Sequence, residues 1–198
     1  MNERAFNQPF KKVGDDFVGA GKLDLAGGGK LIPKDASNRW HNLIASNVGI
    51  ALGSRLKGSK CDIYVNGMRV RLRDALSCYP DVVVVSGDPV FADQHLDLLL
   101  NPTVVLEIVS AATDPINKTS KLDSYLAMES VKECLMLRAD EMRVEHYARQ
   151  NAKQWTYRIY NEKDDVITLD SVNCKVSLAE VYSQVNMRAA EFASKAVN

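Results

Sequence analysis

Net charge is what this sequence most plainly lacks. Its 25 Lys and Arg balance 25 Asp and Glu, so no positive excess advertises a polyanionic partner. Domains that grip nucleic acid are often basic overall, so the balance counts against a strongly basic binder, while a local basic patch stays possible. Long apolar runs are missing as well. No stretch could span a bilayer, and the opening MNERAFNQPFKKVGDD has no signal-peptide core. A soluble cytoplasmic protein is the expectation. Cysteine and histidine are sparse: Cys61, Cys78, Cys134 and Cys174 form no Cys-x-x-Cys pair, and His41, His95 and His146 do not fall at zinc spacings. The sequence promotes no zinc site, and its thiols read as reduced and mostly buried.

What the chain does have is apolar content, 46% of 198 residues, enough for one domain (1–198) with a sizeable core. The first 35 or so residues look irregular, with five glycines between Gly19 and Gly29. A helix is expected from about Ser37 to Leu56, with Leu43, Ile44, Val48 and Leu52 on one face. DIYVNGMRVRLRD then reads as a hairpin turning at Asn66-Gly67. PDVVVVS (80–86) and TVVLEIVS (103–110) are near-continuous apolar runs, the pattern of central strands covered on both faces. Thr113, Asp114 and Pro115 signal a helix start, and that helix carries Lys118, Lys121, Leu122, Tyr125 and Leu126 to about Glu129. Strands are expected near 133–138, 142–148, 154–160 and 165–170, and a C-terminal helix over about 177–196, opened by the capping box Ser-Leu-Ala-Glu. The fold class is α/β (α+β), a mixed sheet flanked by helices.

One residue breaks this pattern. Glu107 interrupts the second apolar run, and a buried carboxylate is costly without a partner. If the two runs pair as an antiparallel hairpin with Ser86 opposite Thr103, Asp81 falls opposite Ile108, next to Glu107. Two carboxylates converging in an apolar setting repel, and a divalent cation between them removes the conflict; Mg²⁺ favours hard oxygen ligands of this kind. Lys121, on the helix that returns over the sheet, could stabilise charge on a phosphate oxygen or position an attacking water. Asp81, Glu107 and Lys121 around Mg²⁺ form a minimal kit for hydrolysing a phosphodiester.

These residues resemble the PD-(D/E)XK nucleases with the restriction-endonuclease-like fold, and within them the Uma-two family. Pro80-Asp81 is the literal "PD", Glu107 matches the second acid, and the lysine is displaced onto the following helix. PDVVVV, PTVVLEIVSAAT, Lys121, Tyr125 and SVKECLML occur in the family's order, across roughly residues 22–182. His41, before the first long helix, also fits. The resemblance implies a metal-dependent endonuclease acting on DNA with Mg²⁺ or Mn²⁺, working as a homodimer, with Asp24 as a third metal ligand and His41, Asn117 and Tyr125 in support. Three positions depart from the pattern: Asn117 stands where relatives carry an Asp, Leu135 where they carry a Trp, and the stretch Asp24 to Gly28 keeps one acid and loses the second.

Other readings compete. Arg69, Arg71 and Arg73 share one strand face at period two, which suits a phosphate backbone but equally a solvated face or a subunit contact. Asp81 after a proline is a common strand-start residue, and Glu107 could form a purely structural pair with Lys or Arg. Trp40, Trp155 and Tyr157 read as core or interface residues. The alternative function is a catalytically silent module on the same fold, used for binding or assembly.

Overall fold

The computed structural model describes residues 38–72, 76–92, 94–110 and 115–186, and for residues 115–118 the backbone alone. Along the chain run α1 (Arg39–Leu56), β1 (Cys61–Val65), β2 (Arg69–Arg71), β3 (Ser77–Cys78), β4 (Val82–Ser86), β5 (Leu98–Leu99) and β6 (Val104–Val109). They are followed by α2 (Pro115–Leu126), β7 (Glu133–Arg138), β8 (Val144–Arg149), β9 (Trp155–Tyr160), β10 (Val166–Leu169), β11 (Cys174–Ser177) and α3 (Leu178–Val181). No described helix is long and apolar enough to cross a membrane.

Six strands make one mixed sheet in the order β1-β4-β6-β7-β8-β9, parallel only between β6 and β7. The valine runs of β4 and β6 have no polar alternation because both faces are covered. Val82, Val84, Val104 and Leu106 pack under α1, the β10-β11 hairpin and α3. Val83, Val85, Val105 and Val109 pack under Tyr125 and Leu122 of α2 and under β2, β3 and β5, which form a small second sheet. The mixed α+β architecture matches the expected fold class.

Helix α1 begins where Asn38 accepts a hydrogen bond from the His41 amide at 2.9 Å, a cap worth about 1 kcal/mol. It buries Ile44, Val48, Leu52 and Leu56 at helical spacing. Gly49 lets it lie close to β1, since a Cβ there would come within 3.0 Å of Val65 Cγ2.

The local structure differs from the sequence reading in three places. The hairpin expected at Asn66-Gly67 does not form. Both residues take positive φ, 52° and 154°, but β1 pairs with β4, while β2 crosses into the small sheet. Val70 and Leu72 are the reason: they bury in the layer shared with Cys78 and Leu99, which requires β2 to lie over the sheet and not beside β1. The β4–β6 register is also shifted by one residue. Val82 stands opposite Leu106, so Asp81, one residue earlier, is set opposite Glu107 and not Ile108. Finally, the capping box at Ser177 forms but opens a helix of only four residues. Tyr182 ends it by donating its hydroxyl to the carbonyls of Arg138 and Arg143 at 2.9 and 2.7 Å, and Gln184 turns left-handed with φ 61°. Asn47 Nδ2 then donates to the Val181 and Ser183 carbonyls, satisfying acceptors freed at the helix end. Residues 187–198 lie outside the described part.

Candidate active site

Because side chains alternate along a strand, Asp81 and Glu107 point to the face that carries Val83 and Val105, under α2. Both are buried, at 1% and 4% exposure. Asp81 leads into β4, and its Oδ2 accepts a hydrogen bond from the Ile108 amide at 2.7 Å, which pins it to the neighbouring strand. His41 approaches from the first turn of α1 and places Nε2 3.2 Å from Asp81 Oδ1.

Helix α2 supplies the rest. Lys121 and Tyr125 are four residues apart and therefore share one helix face. Lys121 Nζ lies 3.4 Å from Glu107 Oε2, and Tyr125 donates its hydroxyl to Glu107 Oε1 at 2.6 Å. Behind them, Cys78 Sγ lies 3.0 Å from the Tyr125 oxygen.

Electrostatics fixes the protonation states. Burial works against charge on Lys121, but Glu107, with a smaller contribution from Asp81, outweighs it and raises the lysine above its ordinary value. Lys121 is an ammonium that senses both carboxylates. The Cys78 thiol is pushed up to about 12, first by burial and then by Glu107. Burial, then Cys78 and Glu107, hold the Tyr125 phenol well above its ordinary value. Cys78 and Tyr125 therefore remain protonated donors, and the thiol is no nucleophile.

The structure thus brings Asp81, Glu107 and Lys121 together with Tyr125 and His41. Asn117 lies on α2 one turn before Lys121, and its side chain falls outside the described residues, as do Asp24 and Arg73 altogether. The arginine row has mixed surroundings: Arg69 is buried and paired with Asp97 at 3.1 Å, whereas Arg71 is exposed. Sequence reasoning did not single out Cys78, whose signal as one more apolar-strand thiol was indistinct. It also passed over Glu133, a second carboxylate at the head of an apolar strand. Glu133 is buried on the opposite sheet face, where it accepts from the Asp170 and Ser171 amides and contacts His146 Nε2 at 3.1 Å.

The donor chemistry suits a hard divalent cation. Two carboxylates opposite each other on one face match Mg²⁺, which is commonly held by one or two carboxylates with water and substrate phosphate completing its shell. Among the described residues no group of three or more His, Cys, Asp or Glu is placed to hold a metal. The two carboxylates are therefore the acidic side chains that would hold a cation among the described residues.

The family described as "Putative restriction endonuclease", Uma2, matches residues 20–180, a span that contains the whole cluster. The chain belongs to the Uma2 family. A relative of this Uma2 chain is the "Uncharacterized protein sll1609" of Synechocystis sp. (strain ATCC 27184 / PCC 6803 / Kazusa). It is 28% identical over 128 residues, which are 64% of this chain and 72% of that protein. A solved structure, that of "a putative nuclease" from Anabaena variabilis ATCC 29413, is similar with a TM-score of 0.64. The likeness covers 78% of this chain and 86% of that one at 18% identity, and it concerns the fold.

Proposed function

We propose that this Uma2 chain is a metal-dependent endonuclease that hydrolyses phosphodiester bonds in DNA, using Mg²⁺ or Mn²⁺. The observation that carries the reading is the register: Asp81 and Glu107 are opposite one another on one buried face, with the Lys121 ammonium 3.4 Å from Glu107. The family description supports the reaction class and the nucleic-acid substrate.

Asp81 and Glu107 would hold a cation whose Lewis acidity would polarise a phosphoryl oxygen and lower the pKa of water. Ile108 and Tyr125 orient those carboxylates, so that little reorganisation is needed at the moment of reaction. Lys121, kept charged, donates to the attacking water or to a non-bridging phosphate oxygen as charge develops there. His41 orients Asp81, and the family resemblance adds Asp24 as a further metal ligand and Asn117 as a supporting residue. Arg71, exposed on β2, meets the phosphate backbone, while Arg69 is buried against Asp97 and Arg73 lies outside the described residues. Residues 1–198 act as one domain in the cytoplasm, and a homodimer provides paired sites for two strands.

A second reading, a catalytically silent binding or assembly module, draws on two observations. Glu107 already has both oxygens engaged by Tyr125 and Lys121, and Asn117 replaces the acid of relatives. The deciding experiment incubates supercoiled plasmid with the protein and Mg²⁺ or Mn²⁺, beside an Asp81→Ala variant. Metal-dependent nicking that drops at least about 100-fold in the variant supports the nuclease, since the variant loses a metal-holding carboxylate. Equal nicking by both proteins, or metal binding without any cleavage, rejects it.

A further inference from the structure

Glu107 uses its two oxygens differently. Oε2 faces the Lys121 ammonium at 3.4 Å, a loose contact, whereas Oε1 receives the Tyr125 hydroxyl at 2.6 Å, a short charge-assisted bond. The phenol is fully buried, so its oxygen has no access to bulk water. Its other hydrogen-bond neighbour among the described residues is Cys78 Sγ, at 3.0 Å. Because the phenol proton is committed to the carboxylate, its oxygen is left as an acceptor, and the thiol S–H must be the donor. Cys78 belongs to β3 in the small sheet, so the chain of donors runs from one sheet to the other: Cys78 to Tyr125 to Glu107.

We propose that Cys78 is a positioning residue which, through Tyr125, holds Glu107 Oε1 and so sets Oε2, the oxygen loosely held by the Lys121 ammonium, as the one that would meet a cation. The inference rests on the metal-site reading for its purpose, though the hydrogen-bond relay itself does not require a metal. A core cysteine that only fills space could be replaced by Ala or Val with ordinary packing effects. A cysteine that aims a phenol cannot. Residues that orient metal-binding side chains typically change metal affinity about 10–100-fold when lost.

The test has two arms on the full-length protein. In chelator, the coupling between Cys78→Ala and Glu107→Gln is measured by urea unfolding, in the Tyr125 and in the Tyr125→Phe background. The relay predicts non-additivity of roughly fivefold or more in the unfolding constant, lost when Phe replaces Tyr125. In the second arm Mn²⁺ binding is measured by calorimetry. Cys78→Val and Tyr125→Phe weaken it at least tenfold, while Cys78→Ser, which keeps a donor, binds within about threefold of the parent. Additive unfolding in both backgrounds overturns the relay, and so does Cys78→Val binding Mn²⁺ like the parent. If the parent binds no Mn²⁺, the metal-site reading fails, and the relay is decided by the unfolding arm alone.

Discussion

Replacing Lys121 by Met should turn the cluster into two buried carboxylates with no positive charge between them. At 3.4 Å, with both side chains nearly inaccessible, the Lys121–Glu107 attraction is about 5 kcal/mol at an effective dielectric constant of about 20. Breaking one partner of a buried pair costs about 3–5 kcal/mol, because the remaining charge is stranded. For a chain of this size that is a fall in Tm of about 6–20 °C, read by thermal unfolding in chelator. Removing both charges, in Lys121→Met with Glu107→Gln, should recover part of the loss. Added Mn²⁺ should raise the Tm of Lys121→Met by more than that of the parent, since the ammonium no longer competes for the carboxylates and a ligand stabilises by mass action. The sign with pH also follows. Lys121 has its pKa raised, so its contribution is fully present below the ordinary lysine value and is lost as pH rises through the higher folded value. Lys121→Met should lack that alkaline limb. A loss below about 1 kcal/mol, or equal Mn²⁺ shifts in both proteins, would refute the reasoning, because it would place the pair in the range of exposed salt bridges.

Two further outcomes test the scaffold around the site. Glu133→Gln should cost about 2–3 kcal/mol in urea unfolding, since the carboxylate accepts from two amides and from the Ser171 hydroxyl. Burial works against its ionisation, but hydrogen bonds from His146 and Ser171 prevail and lower its pKa, so its stabilisation is present above the ordinary carboxylate range and lost as pH falls through the folded value. Identical acid limbs in parent and Glu133→Gln would contradict this. Within α1, Gly49→Val should destabilise by about 1–3 kcal/mol through overpacking on Val65, while Gly53→Ala, with nothing within 4 Å of its new Cβ, should gain up to about 1 kcal/mol. Equal effects at the two glycines would show that α1 does not press on β1 as described.

How much of this was legible in the sequence depended on whether the signal was local. The runs Val82–Val85 and Val104–Val109 announced buried strands because continuous apolar sequence has few other uses, and Pro115 marked the start of α2. Glu107 stood out by contrast with its strand, and the helix spacing of Lys121 and Tyr125 pointed both at it. The observed register lies one residue from the sequence expectation, since a loop of about 15 residues between strands fixes pairing only loosely. Asn66-Gly67 misled because it makes a turn whatever follows, and the destination of β2 was set by tertiary burial of Val70 and Leu72. Glu133 carried the same signal as Glu107, but its partners Asp170, Ser171 and His146 come from distant segments, and no spacing rule joins them. The four-residue α3 was overestimated because a capping box marks where a helix begins and says nothing about where Tyr182 will end it.

The central claim is that Asp81 and Glu107 jointly hold a divalent cation. Crystals soaked in Mn²⁺ and measured at the manganese absorption edge test it most directly. The account predicts an anomalous peak within coordination distance of an oxygen of each carboxylate, absent in Asp81→Asn crystals soaked identically. Ordered Asp81 and Glu107 side chains with no peak between them, at Mn²⁺ concentrations that support any cleavage observed, would contradict it.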